Sequence, residues 1–380
     1  MNDDLSKRVL GQIMGWDDDR ARDEYRWLEF SSVIKYDGYR DFQAGMRFIE
    51  SLVTWLQQFE LAERETAYRF VRERLVFIGV AETQHLVEQF YPKIAHDQLT
   101  RTIATRHDVA PWVALSRPDL RSEVEALRRK TLFLGLSDGA RIDTLRHSNV
   151  GRLSNEQVAA TVQLDPDKWR DLLNDLRSSL GDPEARFEMV YLIDDFTATG
   201  TSFLRYDKAK DQWKGKLTRF RDSISQCFRD STTQVREELF APNWTLCVHH
   251  YIASHAAEKK VRASISDSAG FFADAGWGPV RVSFGTVLPE DLPVREDNPN
   301  DVEFIALARK YYDSSIETPH TKVGGVDRID LGYGGCALPL VLEHNTPNNS
   351  VALLWAESEG KHSPTVPAMR PLFRRRQRHV

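Results

Sequence analysis

The sequence predicts an α/β fold, in which a mainly parallel sheet carries helices on both faces and follows an N-terminal helical region. Residues 190–193 are apolar without interruption, which is typical of a central parallel strand covered on both faces. From Thr131 onward the predicted order is strand-helix-helix-strand-helix-strand-helix-strand, and such alternation favours a parallel sheet. Before Thr131, apolar residues recur at helical spacing instead.

The helical region covers residues 17–127. Apolar residues between Tyr39 and Phe59 form one broad stripe, and residues 63–78 and 82–91 continue the pattern. We expect roughly three to five packed helices whose aromatic residues form core rather than a cofactor site. The chain is then predicted to divide into a helical region 1–128, an α/β core 129–300, a C-terminal hood or flap 301–365 that completes the core, and a basic tail 366–380.

Composition excludes several classes of protein. The 380 residues are 41% hydrophobic and 28% charged, as in soluble globular proteins, and the net charge of -5 argues against general coating of nucleic acid. Cys227, Cys247 and Cys336 are widely spaced, which suggests a reducing cytoplasm rather than a disulfide framework or a zinc site. The polar start Met1–Asp4 is unlike a signal peptide, and no apolar run reaches the ~20 residues of a membrane span. We expect a cytoplasmic protein.

Two acids and a small-residue loop follow the apolar run at 190–193. Asp194 and Asp195 are adjacent on the strand, so they face different ways and can hold two neighbouring hydroxyls, one of them through a metal. The next residues combine hydroxyls with a glycine, and this combination lets backbone N–H groups surround a phosphate. Acids for a diol and a loop for an anion predict a phosphorylated ribose as ligand. The loop residues are Thr197, Ala198, Thr199, Gly200, Thr201 and Ser202.

This segment resembles the phosphoribosyl pyrophosphate (PRPP) motif of the type I phosphoribosyltransferases. The resemblance implies that Asp194 and Asp195 bind the ribose 2- and 3-hydroxyls, that residues 197–202 hold the 5-phosphate, and that the α/β core has the phosphoribosyltransferase fold. It also implies Mg²⁺ as cofactor, held indirectly at Asp194 and Asp195 through ribose or water. The alternative is a strand with an acidic end and a turn. The strand order and C-terminal region further resemble a phosphoribosyltransferase-like family of bacterial conflict (antiphage defence) operons.

A second loop is predicted where the first strand, residues 131–136, turns into a helix. In phosphoribosyltransferases a loop at this place binds pyrophosphate, and the resemblance implies that role in this chain. Asp138 stands where a basic residue is common, and Arg141 is displaced towards the helix. An ordinary strand-to-helix turn is the alternative. The loop residues are Ser137, Asp138, Gly139, Ala140 and Arg141.

Three expectations concern neighbouring segments. Residues 202–206 should begin the helix that follows the phosphate loop. Asp165, as an N-cap, and Pro166 predict another helix start. His249 and His250 lie next to each other on a predicted strand, so they face opposite ways and cannot share a metal; core histidines are the favoured interpretation.

The C-terminal region has a glycine-rich turn at 332–335, a strand, an Asn/Pro turn and an apolar run that ends at Trp355. This order predicts a β-hairpin or extended flap. The resemblance implies a base-recognition hood containing Tyr333, Asn345 and Trp355, whereas turn chemistry with Trp355 in the core is the alternative. The basic residues 373–379 are either a contact for nucleic acid or an acidic partner, or a solvated tail.

These observations predict a PRPP-dependent enzyme that transfers a phosphoribosyl group to a nucleobase, nucleotide or macromolecular acceptor, as an effector of antiphage defence. The alternative is a non-catalytic ribose-phosphate-binding sensor or partner subunit of a nucleoprotein complex. Glycosidase-like cleavage of nucleotides in the same pocket is a third hypothesis. PRPP is the expected ligand. A protein or nucleic-acid partner would bind the N-terminal helices or the basic tail, no membrane is involved, and homo-oligomerisation is left open.

Overall fold

The computed structural model describes residues 3–41, 47–208, 210–227, 239–274, 277–319, 321–360 and 368–375. The chain forms two compact units. One consists of residues Thr83–Pro289, and we call it the sheet unit. The other, which we call the split unit, consists of Met1–Glu82 together with Glu290–Val380.

The helices of the described residues are, in chain order, α1 Asp3–Met14, α2 Asp18–Ile34, α3 Phe48–Leu56, α4 Arg64–Glu73, α5 Val80–Gln89, α6 His96–Arg106, α7 Pro111–Ser116, α8 Pro118–Arg129, α9 Ile142–Ser148, α10 Pro166–Leu180, α11 Lys216–Cys227, α12 His255–Asp267, α13 Ala269–Asp274, α14 Pro299–Lys310 and α15 Ala352–Trp355.

The strands are β1 Val76–Ile78, β2 Thr131–Gly135, β3 Val158–Ala159, β4 Phe187–Thr197, β5 Arg205–Asp207, β6 Gln212–Lys214, β7 Phe240–Ser254, β8 Val280–Leu288 and β9 Leu340–Leu342. Short 3₁₀ turns include Asp138–Ala140, and a π-helical turn, Phe90–Ala95, connects α5 to α6.

The sheet unit is built on five strands in the order β3-β2-β4-β7-β8, and every neighbouring pair is parallel. The fold class predicted from the sequence is therefore confirmed, including the N-terminal helical region. The central strand β4 is buried from Met189 to Asp194, which explains its uninterrupted apolar residues. Trp169 and Leu172 of α10 join the core on one face of the sheet. On the other face Phe90 packs edge-on against Tyr191 at 5.2 Å between ring centroids.

Helix α10 begins where its capping residues predicted. Asp165 is the N-cap and accepts a hydrogen bond from the Lys168 backbone N–H at 2.7 Å, and Pro166 is the first helical residue.

The segment after the phosphate loop corrects one prediction. Residues 202–206 do not begin a helix. Strand β5 pairs antiparallel with β6 in a hairpin. Within it, the ring centroids of Tyr206 and Trp213 are 5.3 Å apart, and Lys214 Nζ is 2.6 Å from Asp207 Oδ2. Gly215 then has φ +141°, and a Cβ there would collide with the Phe203 carbonyl, so the hairpin must end at a glycine. The helix starts only at Lys216.

The split unit has its own core, in which α1–α4 pack with α14 and α15. Phe70 stacks on Phe304 with 3.6 Å between ring centroids, and Arg74 Nε is 2.9 Å from Oδ1 of the buried Asp301. Two predictions are wrong in this unit. Residues 76–78 form β1 rather than a helix, because they pair in parallel with β9. The apolar run before Trp355 is α15 rather than one arm of a hairpin.

Candidate functional site

The two acids lie within β4, which continues past them to Thr197 because β7 pairs with it as far as Ala253. In this register Asp194 stands beside His250, and Phe196 stands beside Ile252. Asp195 therefore stands beside Tyr251, on the opposite face of the sheet from Asp194. The prediction that the two carboxylates face different ways agrees with this register.

Asp194 is fully enclosed in a polar network. Its side chain is 1% exposed, Ser137 Oγ donates to its Oδ1 at 2.5 Å, and Lys216 Nζ donates to its Oδ2. His250 Nε2 is 3.8 Å from Oδ2. Burial raises the pKa of Asp194, whereas the Lys216 cation acts in the opposite direction. Asp194 is thus bound to the protein on both oxygens.

Asp195 is half-buried and lies directly against the second predicted loop. A Cβ at Gly139 would collide with the Asp195 carboxylate, so only glycine allows this approach. With the Ser137–Asp194 bond, this contact brings the predicted pyrophosphate loop against both acids. In the same loop Ala140 is buried, Arg141 has φ +50°, and Asp138 is exposed.

The predicted phosphate loop packs against α12. Ser254, the N-cap of that helix, donates its Oγ to the Ala198 carbonyl at 2.6 Å. Gly200 has φ +68°, and a Cβ on it would be 3.0 Å from Val261 Cγ2, so glycine suits both the backbone and the space. The Thr199 and Thr201 hydroxyls hydrogen-bond each other at 2.7 Å. The loop is a tight turn that connects β4 to β5 and packs against α12.

One buried side-chain oxygen of the loop lacks a hydrogen-bond partner among the described residues. Thr197 is 3% exposed, and its Oγ1 has no hydrogen-bond partner within the described residues. Buried hydroxyls without partners are costly, which makes this oxygen a candidate contact for a phosphate or ribose group. At the far end of the loop, the Ser202 carbonyl accepts from the Lys216 backbone N–H at 2.9 Å.

Lys216 is a site residue that sequence reasoning missed. It is the first residue of α11, its backbone is tied to the phosphate loop, and its side chain reaches Asp194. The one local signal is a Gly-Lys pair at the start of an amphipathic helix. The charged residues 207–216 conceal it, because a charged run is usually a solvated surface.

The two histidines of β7 lie on opposite faces of the sheet, as expected for neighbouring residues of one strand. The His249 ring is 4.4 Å from Phe90, and the His250 ring is 6.0 Å from Phe284. Burial, to which the Lys216 cation adds, lowers the pKa of His250 to about 3. Both rings are therefore neutral at pH 7. They are buried, as core histidines would be.

Tyr251 is the other polar residue beside the acids. Its side chain is 1% exposed, and its hydroxyl has no hydrogen-bond partner among the residues that the structure describes. Burial, together with the charge of Asp195, raises its pKa.

The residues predicted for a base hood belong to the split unit. Tyr333 is buried, Trp355 Nε1 donates to the Ser350 carbonyl at 2.8 Å, and the Asn345 backbone N–H donates to the Leu342 carbonyl at 3.0 Å. Their role in base recognition stays a prediction. Of the basic tail, Arg374 pairs with Glu357 at 2.7 Å, and residues 376–380 lie outside the described residues.

The donor atoms at the two acids decide whether a magnesium ion fits. In the described part of the chain, no group of three or more His, Cys, Asp or Glu side chains could hold a metal ion. Mg²⁺ is commonly bound by one or two carboxylates together with substrate phosphates. Asp195 is a half-buried carboxylate beside the second loop, and both oxygens of Asp194 accept hydrogen bonds from protein groups. The donor set fits a magnesium ion that arrives with its substrate.

None of the described helices has the length and apolar character required to cross a bilayer.

A family model described as PRTase-CE matches residues 52–375, a range that contains the acids, both loops and Lys216. No curated protein and no solved structure matches the chain.

Proposed function

Because the chain belongs to the PRTase-CE family, which is phosphoribosyltransferase-like, we propose that the sheet unit binds PRPP at the end of β4 and transfers its phosphoribosyl group. The observation that carries the proposal is the contact of the Ser137–Arg141 loop with both acids. It gathers a diol-binding carboxylate, a phosphate loop and a second turn into one place.

Each segment has a role in this proposal. Asp195, the acid whose side chain is partly accessible, binds the ribose hydroxyls. The 197–202 loop holds the 5-phosphate, with Thr197 Oγ1 as one donor. Gly139 and its neighbours receive the pyrophosphate. Asp194 orients the site from beneath through Ser137 and Lys216.

The reaction breaks the bond between the anomeric carbon and the pyrophosphate oxygen. A nucleophilic atom of the acceptor forms the new bond to that carbon and gives its proton to solvent. Positive charge develops on the sugar, so placement and electrostatic stabilisation are the main contributions of the protein. Mg²⁺, when bound, neutralises charge on the leaving pyrophosphate. A nucleobase, nucleotide or macromolecule would be the acceptor.

Calorimetric titration of PRPP with Mg²⁺ tests the proposal. We expect the wild type to bind and an Asp194→Asn/Asp195→Asn variant to lose binding, because the neutral amides cannot replace the carboxylates. Asp171→Asn, on the exposed face of α10, is the matched control and should bind as the wild type does. Equal binding of PRPP by the double variant and the wild type would contradict the proposal.

A second candidate, a non-catalytic ribose-phosphate sensor or partner subunit, is favoured by the closed network around Asp194. That acid is already satisfied by protein groups. Release of pyrophosphate from radiolabelled PRPP separates the two candidates. Binding without any release, across nucleobase, nucleotide and nucleic-acid acceptors, supports the sensor.

The biological setting that we propose is antiphage defence, and its support is the sequence resemblance. Phage plaque counts on cells carrying the wild type or the Asp194→Asn/Asp195→Asn variant test it. Equal plaque numbers with both would contradict a role for the PRPP site in defence.

A further inference from the structure

A cleft lies in the sheet unit, on the same face of the sheet as Asp195. It has a volume of about 200 Å³ and is lined by the π-helical turn, the start of α6 and strands β4, β7 and β8. A neighbouring cavity of about 230 Å³ shares Gln98 and Arg281 with it. The two cavities therefore adjoin each other.

Strand register fixes where this cleft lies. Tyr191 pairs with Cys247, and Cys247 pairs with Arg281, so the three side chains form a row across three strands. Tyr191 precedes Asp195 by four residues, which is about 13 Å along the strand. The buried rings of His249 and Tyr251 occupy the intervening positions. The cleft is therefore separate from the PRPP site.

The cleft carries an excess of positive charge. Lys93 and Arg281 both line it, both are exposed, and neither forms an ion pair with any residue that the structure describes. The acid in its wall, Asp97, is already paired with Arg101 at 2.7 Å. Two cations thus lack an ion-pair partner among the described residues at the same concave surface.

The floor of the cleft adds no opposing charge. Burial raises the pKa of Cys247 to about 12 and raises the pKa of Tyr191, so both are neutral at pH 7. Ser283 and Gln98 contribute polar groups at the sides. A low-dielectric floor beneath unpaired cations strengthens attraction for an anion.

We propose that this cleft binds the phosphate group of a small molecule, held between Lys93 and Arg281. Guanidinium groups bind phosphate through two parallel hydrogen bonds, and ammonium groups bind it as point charges. The volume suits one phosphate group better than an extended chain. A polynucleotide would need about 6–10 phosphate contacts for strong binding, and the cleft supplies two unpaired cations from the described residues.

The test is calorimetric titration of the full chain with inorganic phosphate, with adenosine 5′-monophosphate and with uncharged adenosine. Arg281→Gln and Lys93→Gln should each weaken binding of both phosphates by about tenfold or more, because each removes a charge-assisted hydrogen bond. Arg281→Lys should recover part of the loss. Arg121→Gln, an exposed arginine on α8, is the matched control. Preference for the nucleotide over phosphate identifies a nucleotide as the source, and equal affinity identifies free phosphate.

Because the 197–202 loop also attracts phosphate, the same titrations are run on Thr201→Val. Hydrogen exchange of residues 93–98 gives a local readout. Phosphate-dependent protection there that Arg281→Gln abolishes and Thr201→Val leaves intact supports the cleft. Binding that only Thr201→Val weakens overturns it. Tight, salt-sensitive binding of a short oligonucleotide without binding of phosphate or nucleotide also overturns the small-molecule assignment.

Discussion

The two acids of β4 lie on opposite faces of the sheet and differ in their exposure to solvent. On one face Asp194 is closed in by Ser137, Lys216 and His250. On the other face Asp195 is partly accessible, and the neighbouring Tyr251 has a buried hydroxyl without a hydrogen-bond partner in the described residues. Adjacent acids of one motif are therefore unequal. One is enclosed by protein groups, and the other is partly exposed.

The largest expected effect comes from Lys216→Met, which opens the Asp194 face. Removing one partner of a buried ion pair leaves the other charge uncompensated, and we expect a loss of about 3–5 kcal/mol in the free energy of unfolding. Urea denaturation measures it. Lys216→Arg keeps the charge and should lose less. Adding Asp194→Asn to Lys216→Met should restore part of the stability, and failure to do so would contradict the pairing.

Gly139→Ala changes the surroundings of Asp195 instead. The new methyl group collides with the Asp195 carboxylate, so we expect PRPP affinity to fall by about 10–100-fold, while stability falls by about 1–3 kcal/mol. Calorimetry and thermal melting measure the two quantities. Gly270→Ala is the control, because a Cβ there has no neighbour within 4 Å. Unchanged affinity would show that the carboxylate position is unimportant for binding.

The pH dependence of the free energy of unfolding tests the buried face of Asp194, because His250 lies on that face. Its folded pKa of about 3 lies below the unfolded value of 6.5, so its contribution to stability is present above pH 6.5 and is lost as pH falls towards 3. The slope is at most about 1.4 kcal/mol per pH unit for this one proton. His250→Phe should remove that slope between pH 6.5 and 5 in urea denaturation. His249 has a lowered pKa as well and keeps its own slope in the variant.

The smallest effect on stability is expected for Tyr251→Phe. Deleting a buried hydroxyl that lacks a partner should leave the free energy of unfolding unchanged or raise it by up to about 1 kcal/mol. If the hydroxyl serves a ligand, PRPP or acceptor binding weakens in the same variant. A clear loss of stability would mean that the hydroxyl is bonded within the folded protein.

The position of the two acids near the end of β4 and the turn after them could be predicted because these residues are contiguous in sequence. The apolar run, Asp194 and Asp195, and the glycine at 200 occur in the order in which the backbone presents them. The parallel sheet followed from the alternation of strands and helices. The family suggested by this segment is confirmed by the match over residues 52–375.

Lys216 and the strand β1 could not be predicted in the same way. Lys216 reaches Asp194 only because a hairpin returns the chain to β4, and its charged surroundings resemble an exposed surface. Val76–Ile78 forms a strand only because β9, far along the chain, pairs with it. Both features depend on tertiary contacts that override local pattern.

The division of the chain has a consequence for synthesis on the ribosome. The sheet unit is one continuous segment, Thr83–Pro289, whereas the split unit needs residues from both ends of the chain. Strand β1 emerges early but must wait for β9 before it has a partner. Since domains generally fold as units during translation, the sheet unit can complete its fold first, whereas α1–α4 complete their core only after α14 and α15 have been made.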